Sequence, residues 1–175
     1  MINNQNKPQE VDFKNLPLFD VLPEARAAIL RDHQEHYLRP YKARMEKLVT
    51  ICWEHHILPV LLTQPVLYGG GVDAASGVDL DHRFVAKDMD GATAWQVLEL
   101  YNGVTREVGR ERGVLVIDLA REMPKNSTYF YDPMHYTNAG AAKLADIIDA
   151  HLTPFLAAKF PSYYQGKATP PVAGP

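Results

Sequence analysis

Apolar residues recur at helical spacing in three stretches of this chain and run unbroken in two short ones. Pro23 followed by Glu24 marks a helix start, and that helix is expected to reach about His36. Pro40 predicts a break or kink, because a proline inside a helix removes a hydrogen bond and crowds the preceding turn. Beyond it, Tyr41, Met45, Leu48, Val49, Cys52 and His56 share one face of an amphipathic helix, so that face is expected to be buried. Residues 58–63, LPVLLT, suit a strand covered on both faces, with Pro59 tolerated near its start. Asp90 is placed to cap a helix bearing Ala94, Trp95, Leu98, Tyr101, Thr105 and Val108, which ends near Gly113. Residues 114–118 form the second apolar run, and a last helix opens near Asn138 and carries Leu144, Ile148, Leu152 and Phe155. Strands alternating with helices imply an α/β fold, a parallel sheet flanked by helices.

The remaining segments frame this unit. Residues 1–22 are polar and proline-punctuated and read as an irregular lead outside the core, residues 23–160 as one α/β domain, and residues 161–175 as a disordered tail. Between Gln64 and Asp90 the chain has many glycines and aspartates and little periodicity, which predicts a surface excursion beside a site. A length of 175 residues matches one domain with a sizeable core.

Charge and composition narrow the function classes. A net charge of −3, with basic and acidic residues interspersed, leaves no electrostatic footprint for nucleic acid or an anionic membrane, so small or neutral substrates are expected. The single cysteine, Cys52, excludes an internal disulfide and a cysteine-based zinc site, and its helical position assigns it to packing. No apolar run approaches the length of a membrane span, and the residues after Met1 lack the apolar stretch of a secretory signal. A soluble protein is expected, its compartment open, with cytoplasm favoured unless a signal peptide precedes Met1.

The chemistry concentrates near the C-terminal end. Asp132-Pro133-Met134-His135 runs directly into Tyr136-Thr137-Asn138-Ala139-Gly140 and the last helix. An acid and a histidine three residues apart, ahead of a helix and after a parallel strand, place the carboxylate on one ring nitrogen and leave the other for a nucleophile. This stretch resembles the closing motif of the SGNH hydrolases, the GDSL esterase and lipase family. Residues 58–65 are similar to that family's penultimate strand and residues 114–118 to its final one, and the resemblance covers roughly residues 37–158. It implies a flavodoxin-like architecture and a serine hydrolase that cleaves a small-molecule ester or acetyl group through an acyl-serine. Asp132 is then the orienting acid and His135 the general base, with neither metal nor organic cofactor.

The same comparison exposes a gap. The family's Gly-Asp-Ser nucleophile motif and the glycine and asparagine motifs of its oxyanion hole have no counterpart here, and Ser76, Ser127 and Ser162 stand in none of the expected contexts. The chain therefore reads as the C-terminal part of such a fold, incomplete at its N-terminus and weakly active or inactive alone. Its first strand lacks an earlier neighbour, so an exposed sheet edge and self-association are expected. The competing reading is a noncatalytic α/β module that binds a partner through that edge.

A third reading treats Asp79, Asp81, Asp88 and Asp90, with His82, as oxygen and nitrogen ligands for a hard cation, against a solvated loop. Gly69-Gly70-Gly71 lacks the Lys-Ser/Thr of a phosphate loop and reads as a flexible turn bordering the cleft. His33 and His36 read as exposed polar positions, and Trp53, Trp95, Tyr101 and Phe155 as packing residues. Tyr129, Phe130 and Tyr131 either wall the cleft or anchor its loop.

Overall fold

In the computed structural model, which describes residues 11–164, the chain is mixed α/β and mostly helical. α1 (Pro23–Asp32) passes through a π-type turn (His33–Tyr37) into α2 (Leu38–Glu54). Pro40 sits in the first turn of α2 and does not break it. Proline offers no N–H to the carbonyl four residues back, and the wider π turn just ahead of it absorbs the mismatch. The expected kink is thus a local change of helix type rather than an interruption.

β1 (Val60–Leu62) pairs in parallel with β4 (Leu115–Ile117), Val60 opposite Leu115, and α3 (Gly91–Arg112) forms the helix of the crossover. Among the described residues the parallel sheet has these two strands alone, not the several strands of a full flavodoxin-like sheet. The ends of α3 follow their sequence signals. Asp90 accepts a hydrogen bond from the Thr93 amide, and Gly113 closes the helix at φ +64°. Gly109 lets α3 lie close on β4, because a Cβ there would stand 2.0 Å from the Val116 side chain. α4 (Leu119–Glu122) is a single turn after β4, and α5 (Asn138–Lys159) is capped by the Thr137 hydroxyl on the Gly140 amide.

Several expectations need correction. The described part of the lead, residues 11–22, joins the core, since Phe13 and Val21 are buried, and the Val21 amide donates to the Asp90 carboxylate. The Gln64–Asp90 excursion is also built in, burying Val66, Leu67, Tyr68, Val78 and Leu80 and containing a small antiparallel hairpin, β2 (Phe84–Ala86) with β3 (Met89–Asp90). The predicted buried face of α2 is buried only at Val49, while Leu48 is exposed. Trp53 is exposed too, with the Arg112 guanidinium over its ring. Leu58 and Leu62 remain exposed, so β1 is not covered on both faces. Residues 161–164 form a further helical turn, α6 (Pro161–Tyr164), where the tail was expected to begin; residues 165–175 lie outside the described range, as do residues 1–10 of the lead.

Carboxylates and one lysine hold the excursion in place. Asp81 accepts the Gly69 and Gly71 amides, and Asp73 accepts the amides and hydroxyls of both Ser76 and Ser127. Burial raises the Asp73 carboxyl, but the Ser127 and Ser76 donors outweigh it and bring the pKa to about 2. Gly69, at φ +83°, packs on Trp95, whose ring lies 3.5 Å from the Lys125 ammonium. Lys125 donates to the Val66 and Tyr68 carbonyls. The glycine run is therefore a fixed turn, not a flexible one.

Burial lowers the Lys125 pKa from 10.5 to about 8. Between those values the unfolded chain binds a proton that the folded chain does not, so this lysine makes stability rise with pH across that window. Urea unfolding at intervals from pH 8 to 10.5 should show a steeper rise for the wild type than for Lys125→Met. Equal slopes would overturn the assignment.

Candidate active site

The loop between α4 and α5 is fixed before it reaches its ionisable residues. Phe130 is almost fully buried and bridges to Tyr136, and the Thr137 amide donates to the Tyr129 carbonyl. Gly140 permits the N-terminal turn of α5 to press on that backbone, because a Cβ would come within 1.9 Å of the Tyr129 oxygen. The Leu67 amide donates to the Pro133 carbonyl and the Val11 amide to the Tyr131 carbonyl, tying the loop to the excursion and the lead. A turn held on both sides loses little further freedom when a ligand docks.

Within it, Asp132 and His135 are brought together. One carboxylate oxygen of Asp132 accepts the Met134 and His135 amides at 2.8 and 2.7 Å, and the other lies 2.7 Å from His135 Nδ1. Burial raises the Asp132 carboxyl; the Met134 amide and the His135 side chain and amide outweigh that and hold it below its usual range. An ionised carboxylate can only accept, so in neutral His135 the proton sits on Nδ1 and Nε2 carries the free lone pair. The Tyr131 ring stacks on the imidazole, with centroids 5.8 Å apart and planes 10° from parallel. Carboxylate and phenol together restrict both the tautomer and the rotation of the ring.

Replacing Asp132 with asparagine should remove the preference for the Nδ1–H tautomer. Nitrogen-15 shifts of the neutral His135 ring read this directly. An unchanged tautomer ratio would show that Asp132 does not set it.

The imidazole is 60 % exposed. Among the described residues no serine hydroxyl is hydrogen-bonded to it, since Ser76 and Ser127 both serve Asp73. The other predicted clusters are used differently. Asp90 caps α3 and pairs with Arg26 at 3.0 Å, while Asp81 holds backbone amides. His82 is paired with Asp20. No group of three or more metal-ligating side chains forms among the described residues. His33 is half-buried and hydrogen-bonded to the Tyr101 hydroxyl at 2.8 Å, not an exposed polar position.

Two features of the site escaped the sequence reading. Tyr131 was visible only as one of three aromatic neighbours, with nothing in the pattern to single it out for stacking on His135. An apolar groove of about 530 Å³ is also lined by the dyad and by Ala94, Val97, Leu98 and Tyr101 of α3. Nothing in the linear pattern separates a groove-lining helical face from a core face. No helix among the described residues is long and apolar enough to cross a membrane. Comparison with family models, curated proteins and solved structures gives no match.

Proposed function

We propose that this chain supplies the general base and orienting acid of an SGNH-type serine hydrolase that cleaves a carboxylic ester or acetyl group. The serine comes from polypeptide outside these 175 residues. The observation that carries the reading is the 2.7 Å pairing of His135 Nδ1 with a carboxylate already held by two amides, which leaves Nε2 open. His135 takes the serine proton as the hydroxyl attacks the ester carbonyl, and Asp132 stabilises the imidazolium. The same proton passes to the departing alkoxide. Water then repeats the sequence on the acyl-serine, releasing the acid and restoring the hydroxyl.

The test is fluorophosphonate labelling with aryl-acetate turnover, on the chain alone and on protein that includes any sequence encoded upstream of Met1. Labelling of an upstream serine that depends on His135 supports the proposal. If the upstream protein carries no such serine, or labels equally without His135, the proposal fails.

A second reading, an interaction module, is favoured by a separate observation. Leu48, Ile51, Ile57, Leu58 and Leu62 are all exposed on α2, β1 and the turn between them, and β1 is paired on one side only among the described residues. Sedimentation should show concentration-dependent association of the chain, weakened by Leu62→Lys. A monodisperse monomer over the full concentration range would count against it.

A further inference from the structure

The groove lined by the dyad has a composition that bears on which ester could bind there. Its volume is about 530 Å³, ample for a small ligand. The α3 wall repeats at helical spacing, with Ala94, Val97, Leu98 and Tyr101 all turned to the same side. From Ala94 to Tyr101 the helix rises about 10 Å, the reach of an extended chain of about eight methylenes. The opposite side is formed by the β2–β3 hairpin, through Val85 and Met89, and by Tyr68.

Polar groups are scarce along this surface. Among the described residues, the ionisable lining side chains besides two tyrosine phenols are Asp132 and His135. The Tyr101 hydroxyl is already paired with His33. A sugar or peptide laid here would give up hydrogen bonds to water with few replacements among the described side chains, the Tyr68 phenol and the dyad, whereas an alkyl chain would lose none. The polar reacting group would then lie against His135 and the apolar remainder along α3.

We infer that the groove binds the unbranched, uncharged alkyl chain of an ester of about eight methylenes, and that the site therefore prefers medium-chain acyl esters to acetyl groups on carbohydrate. The inference rests on the hydrolase reading for the ester, but the alkyl binding itself needs no nucleophile.

The experiment titrates the 175-residue chain with 2-alkanones, neutral mimics of the ester carbonyl that cannot be hydrolysed, from 2-butanone to 2-dodecanone by calorimetry. Affinity should tighten about fourfold per added methylene until the groove is full, near eight, and then level off. Methyl glucoside should give no heat of binding. Ala86→Trp, at the exposed rim of the hairpin, and Leu98→Ser, on the α3 wall, should each weaken 2-decanone binding about tenfold or more. Thermal melts confirm that each variant is folded, and the wild-type series decides the matter if one is not.

A flat chain-length series, or binding unchanged in both folded variants, overturns the inference and marks the groove as a packing face for other polypeptide. Failure of the hydrolase reading looks different: the alkanone series keeps its slope while no serine labels in a His135-dependent way.

Discussion

Asp90→Ala should lower the unfolding free energy by about 3 kcal/mol, the largest stability loss expected from a single side chain here. Asp90 is fully buried and serves three partners from separate parts of the chain. It caps α3 through the Thr93 amide at 2.7 Å, receives the Val21 amide of the lead at 2.8 Å, and pairs with Arg26 of α1 at 3.0 Å. Loss of the cap accounts for about 1 kcal/mol. An orphaned buried amide at Val21 adds about 2 kcal/mol. Arg26, 28 % exposed, can turn to water and contributes little.

Burial opposes ionisation of Asp90, but the Thr93 and Val21 donors and the Arg26 charge prevail and hold its carboxyl below the ordinary 3.8. The stabilisation is therefore complete above that unfolded value and is lost as pH falls through the folded one. Urea unfolding at neutral pH measures the difference. Asp90→Asn, which keeps an acceptor for the cap, should lose less, and equal losses for the two variants would sink the account.

In protein that contains the nucleophilic serine, His135→Ala should lower kcat by about 10⁶-fold and Asp132→Ala by about 10⁴-fold. The order follows from the geometry. In the proposed mechanism His135 moves the proton, whereas Asp132 only fixes the tautomer and balances the charge, and the Tyr131 stack would still restrain the ring without it. Adding His135→Ala to a serine knockout should cost almost nothing more, because members of such a unit act together. Aryl-ester turnover measures all four proteins. Additive losses in the double variant would mean that His135 acts outside the proposed proton path.

What could be read from the sequence was whatever has a short-range physical signature. Asp90 and Gly113 bound α3, and Thr137 and Asn138 open α5, because unpaired helix-end groups demand particular residues within one turn. The parallel pairing of β1 and β4 followed from apolar runs separated by a helix. The excursion was misread because its core residues, such as Val66, Leu80 and Val78, have no period; carboxylates of Asp73 and Asp81, gripping backbone amides, replace the usual ladders. The β2–β3 hairpin left no trace either, since Phe84 and Ala86 are exposed and its turn relies on Lys87 at φ +46°. The pairing of Asp132 with His135 could be expected from their three-residue spacing together with their place between a strand and a helix. Their groove could not, because α3, the hairpin and the dyad loop meet only in three dimensions.

The parallel pairing also bears on folding. β1 and β4 share three residue pairs, and Val60 meets Leu115 only after more than fifty intervening residues have been closed into a loop. Closure over that span costs entropy that so short a ladder cannot repay by itself. The contacts of α2 with α3, Tyr41 to Thr105 and Lys42 to Glu107, join segments at least as far apart along the chain, so one closure serves both and strand and helix contacts are expected to form together. Until they form, the chain displays Leu61 and Ile117 together with the apolar residues already outside, so its exposure to misassembly is expected to be greatest before that step.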